Sequence, residues 1–406
     1  MKPLEGVTVV DLSTFVAAPV CGRLLADMGA RVIKVEIARG DTWRGTGHSH
    51  VPDRYNKDEN PVFDIYNTGK EFISLNLKTP EGKEAMLKLL GSADVFLTNT
   101  RPAALKRLGL DAEELREKFP GLIYALLVGY GEKGPDADNP AFDSTAFWSK
   151  SGFLHDQATR REDFAPINPP FGMGDTVCGY LLCAEICAAL VRKAKTGKGD
   201  LLSSGLFHNG LFATGTMSLI NQKPFGKKYP VSRVEHSVPG GMYRCSDDAW
   251  VYIGISSAPA KIPAMMAALG RPEIGTDPNY VTPEFRVVDK EGIYAICKEA
   301  FLQNTSEYWL QKGVEFDLPI VKLNTYSSAY EDEQAWANGY LEKVTFASGN
   351  TDIMPTSPIE MESVGELKTV PAAGIGAHTA QVLAQLGYDE NQIVAMQESG
   401  AVYCGK

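Results

Sequence analysis

Residues 7–36 read VTVVDLSTFVAAPVCGRLLADMGARVIKVE, and their pattern indicates the fold class. It holds a short run rich in β-branched residues, then a helical pattern, then a second β-branched run. Pro19 suits the first turn of a helix, and Gly29 suits the position just beyond its end. The stretch therefore predicts a strand, a helix and a strand in succession, which is the unit from which parallel sheets are built.

The same alternation continues along the chain. The runs FISLNL, DVFLTN and LIYALLVG predict further strands, and the residues between them predict helices at 80–90 and 111–118. Strands and helices in this order form a parallel sheet covered by helices, which receives ligands at the carboxyl ends of its strands. The expected fold class is therefore α/β.

The later part of the chain predicts a second, smaller unit. Residues 221–233, NQKPFGKKYPVSR, are basic and interrupted by proline and glycine, as is typical of a linker. The run WVYIGI predicts a strand, and helical patterns near 259–269 and 290–303 complete a small α+β domain. We therefore divide the chain into a large α/β domain at 1–220, a linker and small α+β domain at 221–325, and a C-terminal segment at 326–406.

Composition excludes several classes of protein. The chain has 406 residues, 44% of them hydrophobic, with 40 Lys and Arg against 50 Asp and Glu. The net charge of −10 provides no positive field for nucleic acid or an anionic membrane, so neither is expected as a partner. Seven cysteines without a CxxC pair indicate a reducing cytoplasm. The most apolar stretch, 177–191, contains Glu185 and is too short to span a bilayer, so we expect no transmembrane segment.

Two kinds of cofactor site lack their usual context. The run Gly129-Tyr-Gly131-Glu-Lys-Gly134 has the spacing of a dinucleotide-binding loop, but Pro135 and polar residues follow where the phosphate-binding helix should begin. The six histidines are scattered, and the cysteines at 183 and 187 lie on an apolar helix, where packing is their commoner role. We therefore expect neither a nicotinamide cofactor nor a metal.

The most informative motif is Phe171-Gly-Met-Gly-Asp175, which leads into an apolar helix predicted at 176–194. Two glycines allow unusual backbone angles and close approach of a ligand, and they place the carboxylate near the free N–H groups of the first helical turn. We expect the carboxylate to be ionised there. It could attack an acyl group as a nucleophile, but an Asp before a helix is most often an N-cap, and the local residues alone favour the cap.

Several separated motifs resemble the class III coenzyme A-transferases, the formyl-CoA transferase and carnitine CoA-transferase type. The motifs are the opening stretch through Gly40-Asp41 and Arg44, LNLKTPEGK at 75–83, the segment 99–109, the GMGD helix start and GAHTAQVLAQLGY at 376–388. They occur in family order across nearly the whole chain. The resemblance implies an interlocked homodimer whose Rossmann-like large domain is built from both chain ends, so that residues 326–406 return to it.

The resemblance makes Asp175 the expected nucleophile. It implies that Asp175 attacks an acyl-CoA to give a mixed anhydride and that the CoA thiolate returns to form an aspartyl-CoA thioester. The acceptor carboxylate then takes over through a second anhydride. Gly240 and Gly241 resemble the family's glycine loop that covers this intermediate, although two glycines by themselves are equally an ordinary turn.

The resemblance also implies which residues contact CoA, whose phosphates an acidic protein must meet with local cations. Arg39 lies one residue from the family's basic position. By position, the implied contacts are Val16, Ala17, Arg39, Leu75, Lys78, Asn99, Arg107 and Leu108.

Three further features narrow the function. The family includes α-methylacyl-CoA racemases, which pair the Asp with a His, but here that segment reads Ala141-Phe142-Asp143, and phenylalanine cannot exchange a proton. Phe15, Phe142, Phe147 and Trp148 suggest an apolar acyl pocket. The stretches NTGK at 67–70, GYGEKGPD at 129–136 and EDEQAWAN at 331–338 resemble the phenyllactate and 2-hydroxyisocaproate CoA-transferases of amino-acid-fermenting anaerobes.

We therefore expect a cytoplasmic, homodimeric enzyme that moves CoA from an acyl-CoA or enoyl-CoA to a free carboxylic acid. The expected acid is an (R)-2-hydroxy acid such as 2-hydroxyisocaproate or phenyllactate. Two alternatives stay open, namely a racemase-type isomerase acting on α-methylacyl-CoA and a non-catalytic CoA-binding protein.

Overall fold

The computed structural model describes residues 1–46, 55–56, 59–156, 169–225, 238–255 and 258–405. The chain forms two compact units, of which the first is Met1–Phe153, Asn168–Ile220 and Glu333–Lys406 and the second is Leu154–Ile167 and Asn221–Asp332. Residues 326–332, which the sequence analysis assigned to the C-terminal segment, thus group with the second unit. Most of the linker predicted at 221–233 lies outside the described residues.

A seven-stranded sheet forms the centre of the first unit. With strands numbered along the chain, its order is β12-β3-β2-β1-β4-β5-β6. All neighbouring pairs are parallel except β12 and β3, which are antiparallel. The order changes direction at β1, so the sheet has a switch point between β1 and β4. The strands are β1 (Thr8–Leu12), β2 (Arg31–Glu36), β3 (Glu71–Leu75), β4 (Val95–Thr98), β5 (Ile123–Val128), β6 (Leu201–Gly205) and β12 (Val402–Tyr403).

Helices cover this sheet, and many begin at residues suited to that position. Thr79, Asp111 and Asp389 each accept a backbone N–H of the first turn that follows them. A π-helical turn spans Asp143–Ser149. The helices of the first unit are α1 (Ala17–Asp27), α2 (Pro61–Asn67), α3 (Pro80–Gly91), α4 (Pro102–Leu108), α5 (Ala112–Lys118), α6 (Phe153–Asp156, which crosses into the second unit), α7 (Met173–Thr196), α8 (Leu206–Ala213), α9 (Gly215–Ile220), α14 (Glu333–Ala337), α15 (Thr379–Gln385) and α16 (Glu390–Glu398).

The predicted α/β class with a largely parallel sheet is confirmed, and the five predicted strands of the large domain are β1 to β5. Strand β6, in contrast, was not predicted, because its sequence LLSSG lacks the apolar run by which a buried strand is recognised. The hairpin of β10 (Leu341–Thr345) and β11 (Thr351–Pro355) also had no clear sequence signal.

Helix α7 is longer than the apolar stretch at 177–191 on which the expectation of no transmembrane segment was based. Its 24 residues would suit a membrane span by length and composition alone, so length does not exclude one. One face packs closely on α1, since a Cβ atom at Gly179 would lie 2.6 Å from Ala17 O. Such packing is that of a core helix, and the absence of a membrane partner stays a prediction.

Two buried ion pairs lie near the carboxyl edge of the sheet. Lys70 Nζ is 2.9 Å from Asp11 Oδ2, Lys34 Nζ is 3.1 Å from Asp41 Oδ2, and all four side chains are excluded from solvent. Burial alone would lower the pKa of Lys34, but the Asp41 and Asp11 carboxylates raise it overall. Burial would raise the pKa of Asp11, but Lys70 and Lys34 lower it overall. Gly22 is required beside them, because a Cβ there would lie 2.9 Å from Asp11 Oδ2.

The second unit contains a three-stranded antiparallel sheet in the order β7-β8-β9. Its core includes Phe301 and Trp309, whose ring centroids lie 4.5 Å apart, and the Trp309 indole donates to Phe301 O at 3.1 Å. The predicted strand WVYIGI and the helices near 259–269 and 290–303 are present. The elements are β7 (Gly241–Arg244), β8 (Trp250–Ile253), β9 (Ile320–Lys322), α10 (Ile262–Ala268), α11 (Lys290–Leu302), α12 (Ser306–Glu315) and α13 (Tyr326–Ala329).

Loss of one buried cation should destabilise the first unit strongly. Lys70 Nζ donates to Asp11 Oδ2, Pro19 O and Asn67 Oδ1, each at 2.9 Å, and Lys70→Met leaves all three acceptors buried. We expect the free energy of unfolding in urea to fall by about 3–5 kcal/mol. The control Lys88→Met, on the exposed side of α3, should leave it unchanged within error. A loss for Lys70→Met as small as that of the control would contradict the prediction.

Candidate active site

A cavity of about 350 Å³ lies at the carboxyl edge of the sheet. Its walls come from the residues that directly follow β1, β4, β5 and β6, including Thr14, Asn99, Gly129 and Leu206. The cavity therefore spans the switch point between β1 and β4, where open α/β sheets bind ligands. Asp175 also lines it.

Asp175 is the third residue of α7, and the two preceding glycines act in different ways. Gly172 is the N-cap residue and has a φ of 69°, the left-handed region that favours glycine. Gly174 permits a close approach, because a Cβ there would lie 2.2 Å from Asp143 Oδ1. The alternative that Asp175 is merely the N-cap is wrong, since Gly172, which has no side chain, has that position.

Asp143 begins the π-helical turn and lies against the N-terminus of α7. Burial raises its pKa, while the Trp148 indole and the N–H groups of Gly172, Asp175 and Gly174 act to lower it. The side chain is 8% exposed, and its Oδ1 atom has no hydrogen-bond partner in the described ranges. π-Helical turns are rare and often occur at functional sites. In the sequence, nothing distinguishes Asp143 from a surface carboxylate except its place in the segment that matches the racemase histidine.

Burial and the neighbouring Asp143 raise the pKa of Asp175 to about 7. The expectation that the ionised form of this carboxyl would be favoured is therefore wrong in direction. Desolvation and a like charge outweigh the favourable field of the helix N-terminus. At neutral pH, Asp175 is present in both its protonated and its ionised form.

Asn99 joins the loops that follow β1 and β4. Its Oδ1 atom accepts Thr14 N at 3.0 Å, and its Nδ2 atom donates to Thr14 O at 2.8 Å. The preceding Thr98 adds a hydrogen bond from its hydroxyl to Leu12 O at 2.7 Å. The Asn99 amide therefore fixes the loop geometry at the switch point, a role that its position in the sequence did not reveal.

Phe15, the residue after Thr14, has a φ of 64°, a backbone angle that residues with bulky side chains rarely adopt. Its N–H donates to Asp41 Oδ1 at 3.2 Å. Its ring packs edge-on against Phe142 with the centroids 5.6 Å apart, and both rings line the cavity. Phe147 and Trp148, which were grouped with them as an acyl pocket, are instead 5% exposed and do not line the cavity.

The residues implied to contact CoA lie in different places. Ala17 and Asn99 line the cavity. Leu75 is buried in the core of the sheet, and Val16 is also buried. The three cations are exposed and lie outside the cavity walls, namely Arg39, Lys78 and Arg107. Leu108 packs partly on the core of the sheet. Arg101, within the quoted segment 99–109, is the cation that does line the cavity.

Gly240 and Gly241 belong to the second unit and lead into β7. Both are buried, and Gly241 has a φ of 105°, which requires glycine. Tyr243 donates its hydroxyl to Pro239 O at 2.9 Å, which fixes the start of the strand. Their predicted role over the reaction intermediate stays a prediction.

Other sequence motifs have structural explanations. Residues 129–142 form no helix, and Gly129 is needed because a Cβ there would lie 2.0 Å from Ala141 Cβ. In the GAHT motif, His378 Nδ1 accepts Phe72 N and the Thr379 hydroxyl accepts Ser74 N, each at 2.9 Å. Within the described ranges, no group of three or more His, Cys, Asp or Glu side chains could hold a metal.

Comparison with known proteins establishes the family. A family model described as CoA-transferase family III matches residues 4–379. The chain is 38% identical over 403 residues to the (R)-2-hydroxy-4-methylpentanoate CoA-transferase of Clostridioides difficile, with 98% of this chain and 99% of that protein covered. It is 35% identical over 400 residues to the cinnamoyl-CoA:phenyllactate CoA-transferase of Clostridium sporogenes, with 97% and 96% covered. The chain belongs to CoA-transferase family III.

A solved structure has the same fold. A crystal structure of a mutant of Rv3272 from Mycobacterium tuberculosis matches with a TM-score of 0.81 at 25% identity, covering 95% of this chain and 99% of that one. The family resemblance seen in the sequence motifs is thereby confirmed, and the protein is an enzyme, a CoA-transferase.

The raised pKa of Asp175 predicts how stability depends on pH. In the unfolded chain the carboxyl has its ordinary pKa of 3.8. Between about pH 4 and about pH 7 the Asp175 carboxyl is therefore mostly protonated in the folded state and mostly ionised in the unfolded state. This contribution to stability is fully present below that range and is lost as the pH rises through it. Asp175→Asn stays neutral, so from about pH 5 to about pH 8 it should gain about 1–3 kcal/mol relative to the unaltered protein in urea unfolding.

Glu117→Gln provides the control, because that carboxyl lies on the exposed side of α5 and its loss should change little with pH. Burial also raises the pKa of Asp64 to about 7. Both proteins carry Asp64, so the difference between them reports Asp175 together with its interaction with Asp143. If the free energies of unfolding of Asp175→Asn and the unaltered protein differed by the same amount at the lower and the higher pH, the pKa of Asp175 would not be raised.

Proposed function

We propose that this transferase moves CoA between an acyl-CoA or enoyl-CoA and an (R)-2-hydroxy acid with a branched or aromatic side chain, such as 2-hydroxyisocaproate or phenyllactate. One observation carries the proposal, namely the partly buried carboxyl of Asp175 in a cavity at the carboxyl edge of the sheet that has both polar and apolar walls, the apolar part including Phe15 and Phe142. The names of the two clostridial relatives support the choice of acid. Phe142 leaves the racemase alternative without its histidine at that position.

In the proposed reaction, an Asp175 carboxylate oxygen attacks the carbonyl carbon of the donor thioester. The C–S bond breaks, CoA leaves as a thiolate, and a mixed anhydride of Asp175 and the acyl group forms. The thiolate then attacks the aspartyl carbonyl carbon, which releases the donor acid and leaves Asp175 as a CoA thioester. The acceptor carboxylate passes through the same two steps in reverse. The products are a new acyl-CoA and free Asp175.

Ionisation of Asp175 controls the first step, because only the carboxylate can attack. The partial burial that raises its pKa also limits the access of water, which would weaken the nucleophile and hydrolyse the anhydride. We propose that Gly240 and Gly241 cover the aspartyl thioester while the substrates exchange.

We propose that CoA binds along the carboxyl edge. Ala17 and Asn99 would contact its thiol-bearing arm, and Arg101, which forms no ion pair with any described residue, supplies positive charge at the cavity wall. Arg39, Lys78 and the 107–108 pair would meet the nucleotide end, and Val16 and Leu75 would support these loops from the core. The exchange of one thioester for another requires neither a metal nor a nicotinamide cofactor.

We also propose a homodimer in the cytoplasm. Helices α7 and α8 leave several large apolar side chains exposed in the single chain, which supports a second copy as their partner; they include Val177, Leu181, Val191, Leu211 and Phe212. All seven cysteines are free thiols, as a reducing compartment favours. Nucleic acid and membranes have no part in the proposal.

Trapping should reveal the activated aspartate. When the enzyme is mixed with cinnamoyl-CoA or a branched acyl-CoA and quenched with hydroxylamine, peptide mass spectrometry should find a hydroxamate on Asp175, because anhydride and thioester both react with hydroxylamine. Asp175→Asn should give no hydroxamate and should lower kcat by at least about 1,000-fold. Glu117→Gln serves as the control and should retain both the hydroxamate on Asp175 and the kcat of the unaltered enzyme. Undiminished exchange by Asp175→Asn would exclude the mechanism.

Light scattering after gel filtration tests the dimer. The chain has a mass of 44.1 kDa, and we expect about twice that mass because the exposed apolar residues of α7 and α8 need a partner. Leu181→Glu, within the exposed side of α7, should shift the mass toward that of one chain. A single-chain mass for the unaltered enzyme would contradict the homodimer.

A further inference from the structure

Phe15 is held in an unfavourable backbone conformation beside Asp175. In the described part of the first unit it is the one non-glycine residue with a positive φ, at 64°. Bulky residues avoid this region because their Cβ atom crowds the backbone. Such strain persists only where the surroundings fix it, and it is concentrated at sites where a side chain must have a particular position.

The surroundings of Phe15 do fix it. The Phe15 N–H donates to Asp41 Oδ1, and the buried Lys34 lies 3.1 Å from the other oxygen of that carboxylate. The Asn99 amide holds the preceding residue, Thr14, by both its N–H and its C=O. The loop thus has little freedom to relax, and the ring of Phe15 is aimed at the cavity.

The ring forms one wall of the cavity together with Phe142. The two rings meet edge-to-face at 83°, and Phe142 remains 56% exposed. Both share the cavity with Asp175. An aromatic surface of this size beside a reacting carboxyl gains free energy when an apolar group of the substrate covers it.

We propose that Phe15 and Phe142 are specificity-determining residues that bind the apolar side chain of the acid while its carboxylate reacts at Asp175. Branched and aromatic 2-hydroxy acids cover the two rings, whereas lactate has only a methyl group to place there. Selection therefore depends on the side chain of the acid and not on its 2-hydroxy carboxylate. This inference rests on the proposed transfer of CoA to an acid at Asp175.

The test compares three acids that have the same 2-hydroxy carboxylate, namely 2-hydroxy-4-methylpentanoate, phenyllactate and lactate, with one acyl-CoA donor. Phe142→Ala and Phe15→Gly should each lower kcat/KM for the two larger acids by about 10- to 100-fold relative to lactate. Glycine at position 15 adopts the left-handed conformation without strain, so this variant removes the ring and keeps the loop. Tyr388→Ala, an aromatic truncation outside the cavity, is the control and should keep the selectivity.

Two results would overturn the inference while leaving the transfer reaction intact. One is unchanged selectivity in Phe142→Ala and Phe15→Gly. The other is an equal loss with all three acids together with a raised KM for the donor, which would assign the rings to CoA binding. If the unaltered enzyme transferred CoA to none of the three acids, the proposed function itself would fail and the inference with it.

Discussion

The site depends on the buried pairing of Lys70 with Asp11 and of Lys34 with Asp41. Charges without solvent are tolerated only when they are paired and hydrogen-bonded, so the strands and loops that carry them must meet in one arrangement. The same groups also hydrogen-bond the backbone of the loop that follows β1. Lys34 Nζ donates to Ser13 O, and Asp41 Oδ1 accepts the N–H of Phe15. The buried ion pairs therefore hold in place the loop that carries Phe15 into the cavity wall.

Much of the sheet could be predicted from the sequence, because β1 to β5 are apolar runs separated by helical periods. β6 and β12 could not, since the first is partly polar and the second has two residues whose partner, β3, is distant in sequence. The GAHT motif has a similar explanation. His378 and Thr379 satisfy N–H groups of β3, and this is apparent only when the chain end lies against that strand.

The candidate site was predictable to a lesser degree. The glycines before Asp175 identified its position, but its pKa depends on Asp143, which a π-helical turn brings to the same helix end. Sequence position cannot show such a like-charge neighbour. The resemblance likewise suggested Asn99 as a ligand contact, but it did not show that the Asn99 amide also holds the backbone of Thr14. Local pattern thus identifies candidate residues, and only the packing shows how their polar groups are used.

The antiparallel pairing of β12 with β3 has a consequence for synthesis of the protein. The outer neighbour of β3 consists of residues 402–403, so this sheet edge can close only once those residues have been synthesised. Until then β3 presents unpaired N–H and C=O groups, which can pair with another nascent chain. The first unit therefore cannot close this edge before residues 402–403 have been made, however early the other strands of the sheet are available.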